Sequence, residues 1–244
     1  MRNIQLIIAY KGTHYAGWQE QPDVRTVEKT LRKAIEAITG EPTILYGSGR
    51  TDAGVHAVAQ SANFYTSSRI PAERFALALN TKLPQDIRVR ASYEKPEDFH
   101  SRYCAKGKVY SYRLYLGPTS SPFTNDLSWH IARKIDLTAM EKAAKPFLGE
   151  HDFSGFMSAG SSVKNTVRTI YDIRFERKEN LLTIIYEGSG FLYNMVRIIT
   201  GTLYEVGVGE IDRVCIPMII ASCERNQAGI TAPAKGLFLE RVIY

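Results

Sequence analysis

A chain of 244 residues, 44% apolar and 23% charged, holds enough apolar material for a sizeable core, in one large domain or two small ones. No low-complexity tract interrupts it, which excludes a disordered or fibrous protein. Lys and Arg outnumber Asp and Glu by 31 to 25, a net charge of +6 that favours a polyanionic partner.

The N-terminal apolar run is too short to cross a membrane and has no small-residue cleavage site, so the reading is a soluble, cytoplasmic protein. Residues 3–10 alternate, with Ile4, Leu6, Ile8 and Tyr10 on one face of a strand. Thr26 reads as an N-cap. Val27, Leu31, Ala34, Ile35 and Ile38 follow at helical spacing until Gly40 stops them. A short strand at 42–47, a turn and a strand from Val58 to Tyr65 come next. Pro71 opens a helix with Phe75, Leu77, Leu79 and Leu83 as its apolar positions, and a strand over 86–94 closes a β-α-β-β-α-β set.

The polar segment 95–105 reads as a junction, which places an N-terminal half at 1–100 and a C-terminal half at 101–244. In the second half the spacing predicts strands at 108–116, 167–177, 181–187 and 237–243. Helices are expected at 138–147, 191–206 and 211–222. The connections 117–130 and 149–166, rich in Ser, Gly and Asn, suit ligand-touching loops. Cys215 and Cys223 lie in an apolar stretch and read as buried thiols. With Cys104 they form neither a disulfide framework nor a metal signature.

Three stretches offer chemistry. In GSGRTDAGVHA (47–57), Gly47, Gly49 and Gly54 permit a tight crossing from which Asp52 projects, with Arg50 two positions away. The alternative is an ordinary turn in which Asp52 caps its neighbours' amides. In KVYSYRLYLG (108–117), Tyr110, Tyr112, Leu114 and Leu116 share a face, as core residues or, for one tyrosine, as a flat platform for a nucleobase. In GSGFLYNMVRIITGTLYEVG (188–207), Phe191, Leu192, Met195, Val196, Ile198, Ile199 and Leu203 make a largely buried helix, leaving Asn194 and Arg197 three apart. A guanidinium there calls for an anion: a structural acid, a catalytic carboxylate or a phosphate. The five histidines show no zinc spacing, and no nucleotide cradle or serine elbow appears.

These blocks, together with FHSRYCAKGKVYSYRL, HDFSGF and the closing APAKGLFLERVIY, resemble the tRNA pseudouridine synthase A family over nearly the whole chain. The resemblance implies an α+β protein of two ferredoxin-like (β-α-β-β-α-β) halves forming one extended antiparallel sheet, the pseudouridine synthase fold, with an active cleft between them. It implies that Asp52 is catalytic, that Tyr110 stacks on the target uracil, and that Arg50 and Arg197 serve the substrate site, Arg197 pairing with the catalytic carboxylate. The implied substrate is uridine in the tRNA anticodon stem-loop, just 3′ of the anticodon. The implied enzyme is a homodimer needing no cofactor, no nucleotide and no metal. Ser48 and Ser101 stand where the family usually has Ala, and Tyr193-Asn194 where it often has an aromatic or His pair.

For such an isomerisation a carboxylate can attack sugar or base, or take a proton from the ribose, and the residues alone leave these routes open. Burial would raise the pKa of Asp52 and a neighbouring Arg197 would lower it again. Arg50 is placed to fill the space left by a flipped nucleotide or to hold its phosphate. Arg69, Arg74, Lys82, Arg88, Lys106 and Lys108 are candidate phosphate contacts. A non-catalytic RNA-binding module of the same element order is the rival reading, although its usual aromatic strand motif is not intact here. A small-molecule acid–base enzyme is a second rival.

Overall fold

The computed structural model describes residues 1–160 and 163–244, so Ser161 and Ser162 of the 149–166 connection lie outside the described residues. The chain divides into two compact units, Met1–Lys106 with Phe238–Tyr244, and Gly107–Leu237. This division differs from the sequence junction at 100/101 in two ways: residues 101–106 stay with the first unit, and the last residues, Phe238–Tyr244, return to it. No local pattern signals such a long-range pairing.

In the first unit the order is β1 (Arg2–Tyr10), α1 (Val27–Thr39), β2 (Tyr46–Gly47), β3 (His56–Thr66), α2 (Phe75–Asn80) and β4 (Ile87–Lys95). Strand β1 pairs antiparallel with β3 on one side and β4 on the other, and β2 adds to β3. Cross-strand partners fix the faces. Ile4 opposite Phe64 and Leu6 opposite Ala62 lie on the face buried with Leu31, Ile35, Phe75 and Leu79 from α1 and α2. Asn3, Gln5, Asn63, Tyr65, Tyr46 and Tyr93 lie on the other face.

Two expectations are corrected here. Thr26 precedes α1 but makes no side-chain cap. The first amides of the helix are taken by the carbonyls of Gly17 and Trp18 instead, from Val27 at 3.2 Å and Glu28 at 3.0 Å. Leu77 is 61% exposed. A 3-10 turn over Ala72–Arg74 delays α2 to Phe75, so Phe75 and Leu79 face inward and Leu77 points to solvent.

The second unit contains β5 (Gly107–Leu116), β6 (Trp129–Ile131), α3 (Leu137–Ala144), β7 (Gly149–Asp152), β8 (Val167–Lys178), β9 (Leu181–Gly188), α4 (Met195–Gly207) and α5 (Ile216–Ser222). Its antiparallel ladder runs β5-β9-β8-β7, with β6 parallel to β5. Strand β10 (Leu237–Ile243) pairs parallel with β3 through Phe238 and Leu239. The fold class is α+β, and the β-α-β-β-α-β order recurs along the chain as β5, α3, β8, β9, α4 and β10, with β6, β7 and α5 as insertions. Helix α4 begins at Met195 rather than 191, because Asn194 adopts a left-handed conformation (φ 62°). Cys223 likewise has φ 57° at the end of α5, and it is exposed, not a buried thiol; Cys215 is half-buried.

Candidate active site

The glycine-rich turn joins β2 to β3 and is held from beneath by buried polar side chains. Gln60, wholly buried, donates through Nε2 to Gly49 O at 2.9 Å and accepts Ser48 Oγ–H on its Oε1 at 2.6 Å. The Tyr10 and Thr51 hydroxyls bond at 2.8 Å, both buried. Val55 N–H donates to Asp52 O at 3.1 Å, closing a turn in which Gly54 takes φ 78°. Positions 48, 49 and 51 are thus pinned, while Arg50 stays exposed and Asp52 half-buried. Gly47 is needed for a different reason from Gly54: a Cβ there would lie 2.6 Å from Trp18 Nε1.

A second loop, residues 11–18, clasps the turn backbone to backbone. A Cβ on Gly12 would lie 2.0 Å from Val55 O, and one on Gly17 (φ 93°) would lie 2.7 Å from Thr51 O and 3.2 Å from the Asp52 carbonyl carbon. Gly12 N–H donates to His56 Nδ1 at 3.0 Å, Trp18 N–H to Thr51 O at 3.0 Å and Gly54 N–H to Tyr15 O at 3.3 Å. The His56 ring stacks on Phe238 at 4.6 Å. Only unsubstituted α-carbons allow this approach, and the result is a carboxylate on a backbone with little freedom to move.

In the second unit Tyr110 stands on β5 opposite Tyr186 of β9, 7% exposed and edge-on to Phe191 at 5.2 Å. Tyr112 lies two residues on. Its hydroxyl donates to Pro233 O at 2.7 Å, and a Cβ on Gly236 would meet its ring at 2.6 Å. Burial raises the Tyr112 pKa, and the charge of Arg197 partly offsets this. Arg197, half-buried on the first turn of α4, donates from Nε to Ala232 O at 2.7 Å and from Nη1 to Asn194 Oδ1 at 2.6 Å. Asn194 in turn donates to Ser158 Oγ at 2.9 Å, and Ala232 N–H returns to Arg197 O at 3.1 Å. A Cβ on Gly201 would lie 1.8 Å from Ile230 O, so α4 and the 229–236 segment are also in backbone contact.

A protein-family model described as tRNA pseudouridine synthase matches residues 6–104 and 143–244. The chain belongs to the tRNA pseudouridine synthase family. It is 51% identical over 244 residues to a tRNA pseudouridine synthase A of Acetivibrio thermocellus, with all of both chains covered. It is 46% identical to the protein so named in Ruminiclostridium cellulolyticum and 48% to that of Clostridium botulinum, again with full coverage of each.

In this synthase the sequence-derived candidates fall into two settings. Arg50 and Asp52 share the braced turn of the first unit; Tyr110 and Arg197 occupy β5 and α4 of the second. Among the candidate phosphate contacts, Arg69, Arg74, Lys82 and Lys106 are exposed and Lys108 is half-buried. Arg88 bonds the carbonyls of Pro84 and Ile87 at 2.5 and 2.7 Å. Sequence reasoning missed Gly12, Gly17, Trp18, His56 and Gln60. The available signal was the segment GTHYAGW, with two glycines and a tryptophan directly after β1.

Proposed function

We propose that this synthase converts uridine to pseudouridine in the anticodon stem-loop of tRNA. Asp52 is its catalytic group, and Arg50, Tyr110 and Arg197 bind the substrate. The supporting observation is the turn itself: a half-buried carboxylate on a backbone gripped by two glycine contacts and a buried Gln60 is built for aim rather than for solvation. A non-catalytic RNA-binding module has no use for that rigidity.

In the reaction the N1–C1′ bond breaks, the uracil turns over and C5 bonds to C1′. C5 gives up its proton and N1 takes one up. Nothing is oxidised or reduced, so a carboxylate with oriented donors suffices and no cofactor is required. The target base must leave its stack, at a cost of about a few kcal/mol. Tyr110 receives the ring, and Arg50, on the exposed side of the turn, holds the displaced strand. Arg197 orients the reacting nucleotide. We place the enzyme in the cytoplasm as a homodimer, for which sedimentation should return twice the chain mass.

The test uses tRNA carrying tritium at uridine C5. The wild-type protein should release label to water, and Asp52→Asn should bind tRNA with similar affinity and release none. Undiminished release by Asp52→Asn overturns the assignment; binding without release by the wild type points to the module instead.

A further inference from the structure

Residues 96–106, which include most of the segment 95–105 that reads as a junction in the sequence, are a built platform in the structure. They lie across the polar face of the first unit's sheet, fastened by buried side chains. Asn3 Nδ2 donates to Pro96 O at 3.0 Å and Phe99 O at 2.8 Å, and Asn63 Oδ1 accepts Ser101 N–H at 2.8 Å. The Tyr244 hydroxyl bonds Ser101 O at 2.8 Å and Ser61 Oγ at 2.7 Å, and its ring packs on Phe99 at 5.1 Å. Asn3 and Asn63 are at most 1% exposed. A mere connector does not need so many buried bonds.

The platform carries a run of rings. Tyr65 meets Tyr46 edge-on at 6.3 Å, Tyr46 meets His100 at 5.0 Å, and His100 meets Tyr103 at 4.4 Å. The run ends at the surface, where Tyr103 is 77% exposed with the Arg102 guanidinium 5.8 Å from its ring centre. Burial first and the charge of Arg102 second lower the pKa of His100, and its Nδ1 accepts Arg102 N–H at 3.1 Å, holding the tip of the loop in shape. A single exposed tyrosine would mean little. A rigidly backed ring with a cation over it, one step before the Asp52 turn through Tyr46, matches what a splayed nucleotide and its phosphate require.

We propose that Tyr103 and Arg102 form a nucleotide-binding subsite of this enzyme separate from the residues that hold the target uridine: Tyr103 stacks on an unpaired base of the tRNA loop and Arg102 takes an adjoining phosphate. The proposal rests on tRNA being the substrate. Charge selects RNA over an apolar partner, since Arg102 and Lys106 are exposed at this loop in a chain of net charge +6.

The experiment measures tRNA affinity and single-turnover tritium release for Tyr103→Ala, Tyr103→Trp and Arg102→Ala. Loss of one stacked base should weaken binding about tenfold in Tyr103→Ala, leave the rate on saturating tRNA within about twofold, and be recovered in Tyr103→Trp. Arg102→Ala should lower the slope of log affinity against log salt by about one. Unchanged affinity in Tyr103→Ala overturns the proposal. So does a loss that Trp fails to restore, or a change of oligomeric state with tRNA affinity per chain preserved. Absence of tritium release from the wild type would instead sink the isomerase reading, which separates the two failures.

Discussion

The backbone N–H of Gly12 donates to Nδ1 of His56 across 3.0 Å, at a point where the missing Gly12 Cβ would lie 2.0 Å from Val55 O. The contact is with backbone, so no side chain can swing aside to make room. Gly12→Ala should therefore push the 11–18 loop away from the Asp52 turn, costing about 1–3 kcal/mol of stability. A shift of that kind at the carboxylate should lower turnover by roughly 100-fold. His56→Leu strands the buried Gly12 N–H, whereas His56→Asn offers an acceptor and should retain more activity. Chemical denaturation and single-turnover rates for the three variants check this, and a Gly12→Ala enzyme of normal rate and midpoint would remove the clasp from the mechanism.

Arg197 is fixed from two sides, by Ala232 O and by Asn194 Oδ1. On the proposed role of Arg197 at the reacting centre, Arg197→Ala should cost most of the turnover, on the order of 100-fold or more, while tRNA binding changes little. Arg197→Lys should not rescue it, since a single ammonium cannot hold both acceptors in the planar fork that Nε and Nη1 supply. Asn194→Ala should give a smaller loss, because the Ala232 contact survives. Rate and dissociation constant measured side by side decide it. A parallel loss in both would make Arg197 a binding residue only.

Much of the architecture was legible because period-2 and period-3.6 patterns mark elements that bury one face. Ile4, Leu6 and Ile8 on β1 and Val27, Leu31 and Ile35 on α1 are wholly buried as expected. The failures lie where periodicity is silent: some depend on partners outside the local pattern, and others, such as Leu77 and the start of α4, on a 3-10 turn and a left-handed residue. Thr26 looked like a cap because nothing local reveals that the carbonyls of Gly17 and Trp18 take the helix amides. Strand β7 pairs with β8 over four residues only and leaves no periodic trace. Asp52 and Arg50 stood out by composition, but the parts that brace them did not. Gly12 and Gly17 matter for what approaches them, and Gln60 reads in sequence as one more polar strand residue.

Burial raises the pKa of Tyr10, Tyr112 and Tyr186 above the usual tyrosine value. In the unfolded chain these phenols ionise near pH 10. Above that pH the folded state holds more protons than the unfolded, so stability falls as pH rises. The contribution is complete below about pH 10 and is lost above it, by up to about 1.4 kcal/mol per pH unit for each tyrosine. Tyr186→Phe should flatten this alkaline slope by one tyrosine's share. The Thr200 hydroxyl already donates to Val196 O at 2.7 Å, so it merely accepts from Tyr186, and the variant strands no donor. Urea midpoints between pH 9 and 11 give the slopes. Equal slopes in the two proteins would mean that Tyr186 ionises without unfolding.

Ser101 is wholly buried, its N–H given to Asn63 Oδ1 and its carbonyl taken by the Tyr244 hydroxyl, yet its Oγ has no hydrogen-bond partner among the described residues. Both backbone bonds are indifferent to the side chain. Ser101→Ala removes only the stranded hydroxyl, so it should raise stability by about 1 kcal/mol. It should leave tritium release untouched, because the platform keeps its backbone anchors. Thermal midpoints of the two proteins, read together with tRNA affinity, provide the check. A lower midpoint in Ser101→Ala would show that Oγ contributes a bond to the platform, and a fall in tRNA affinity with it would show that the bond shapes the loop.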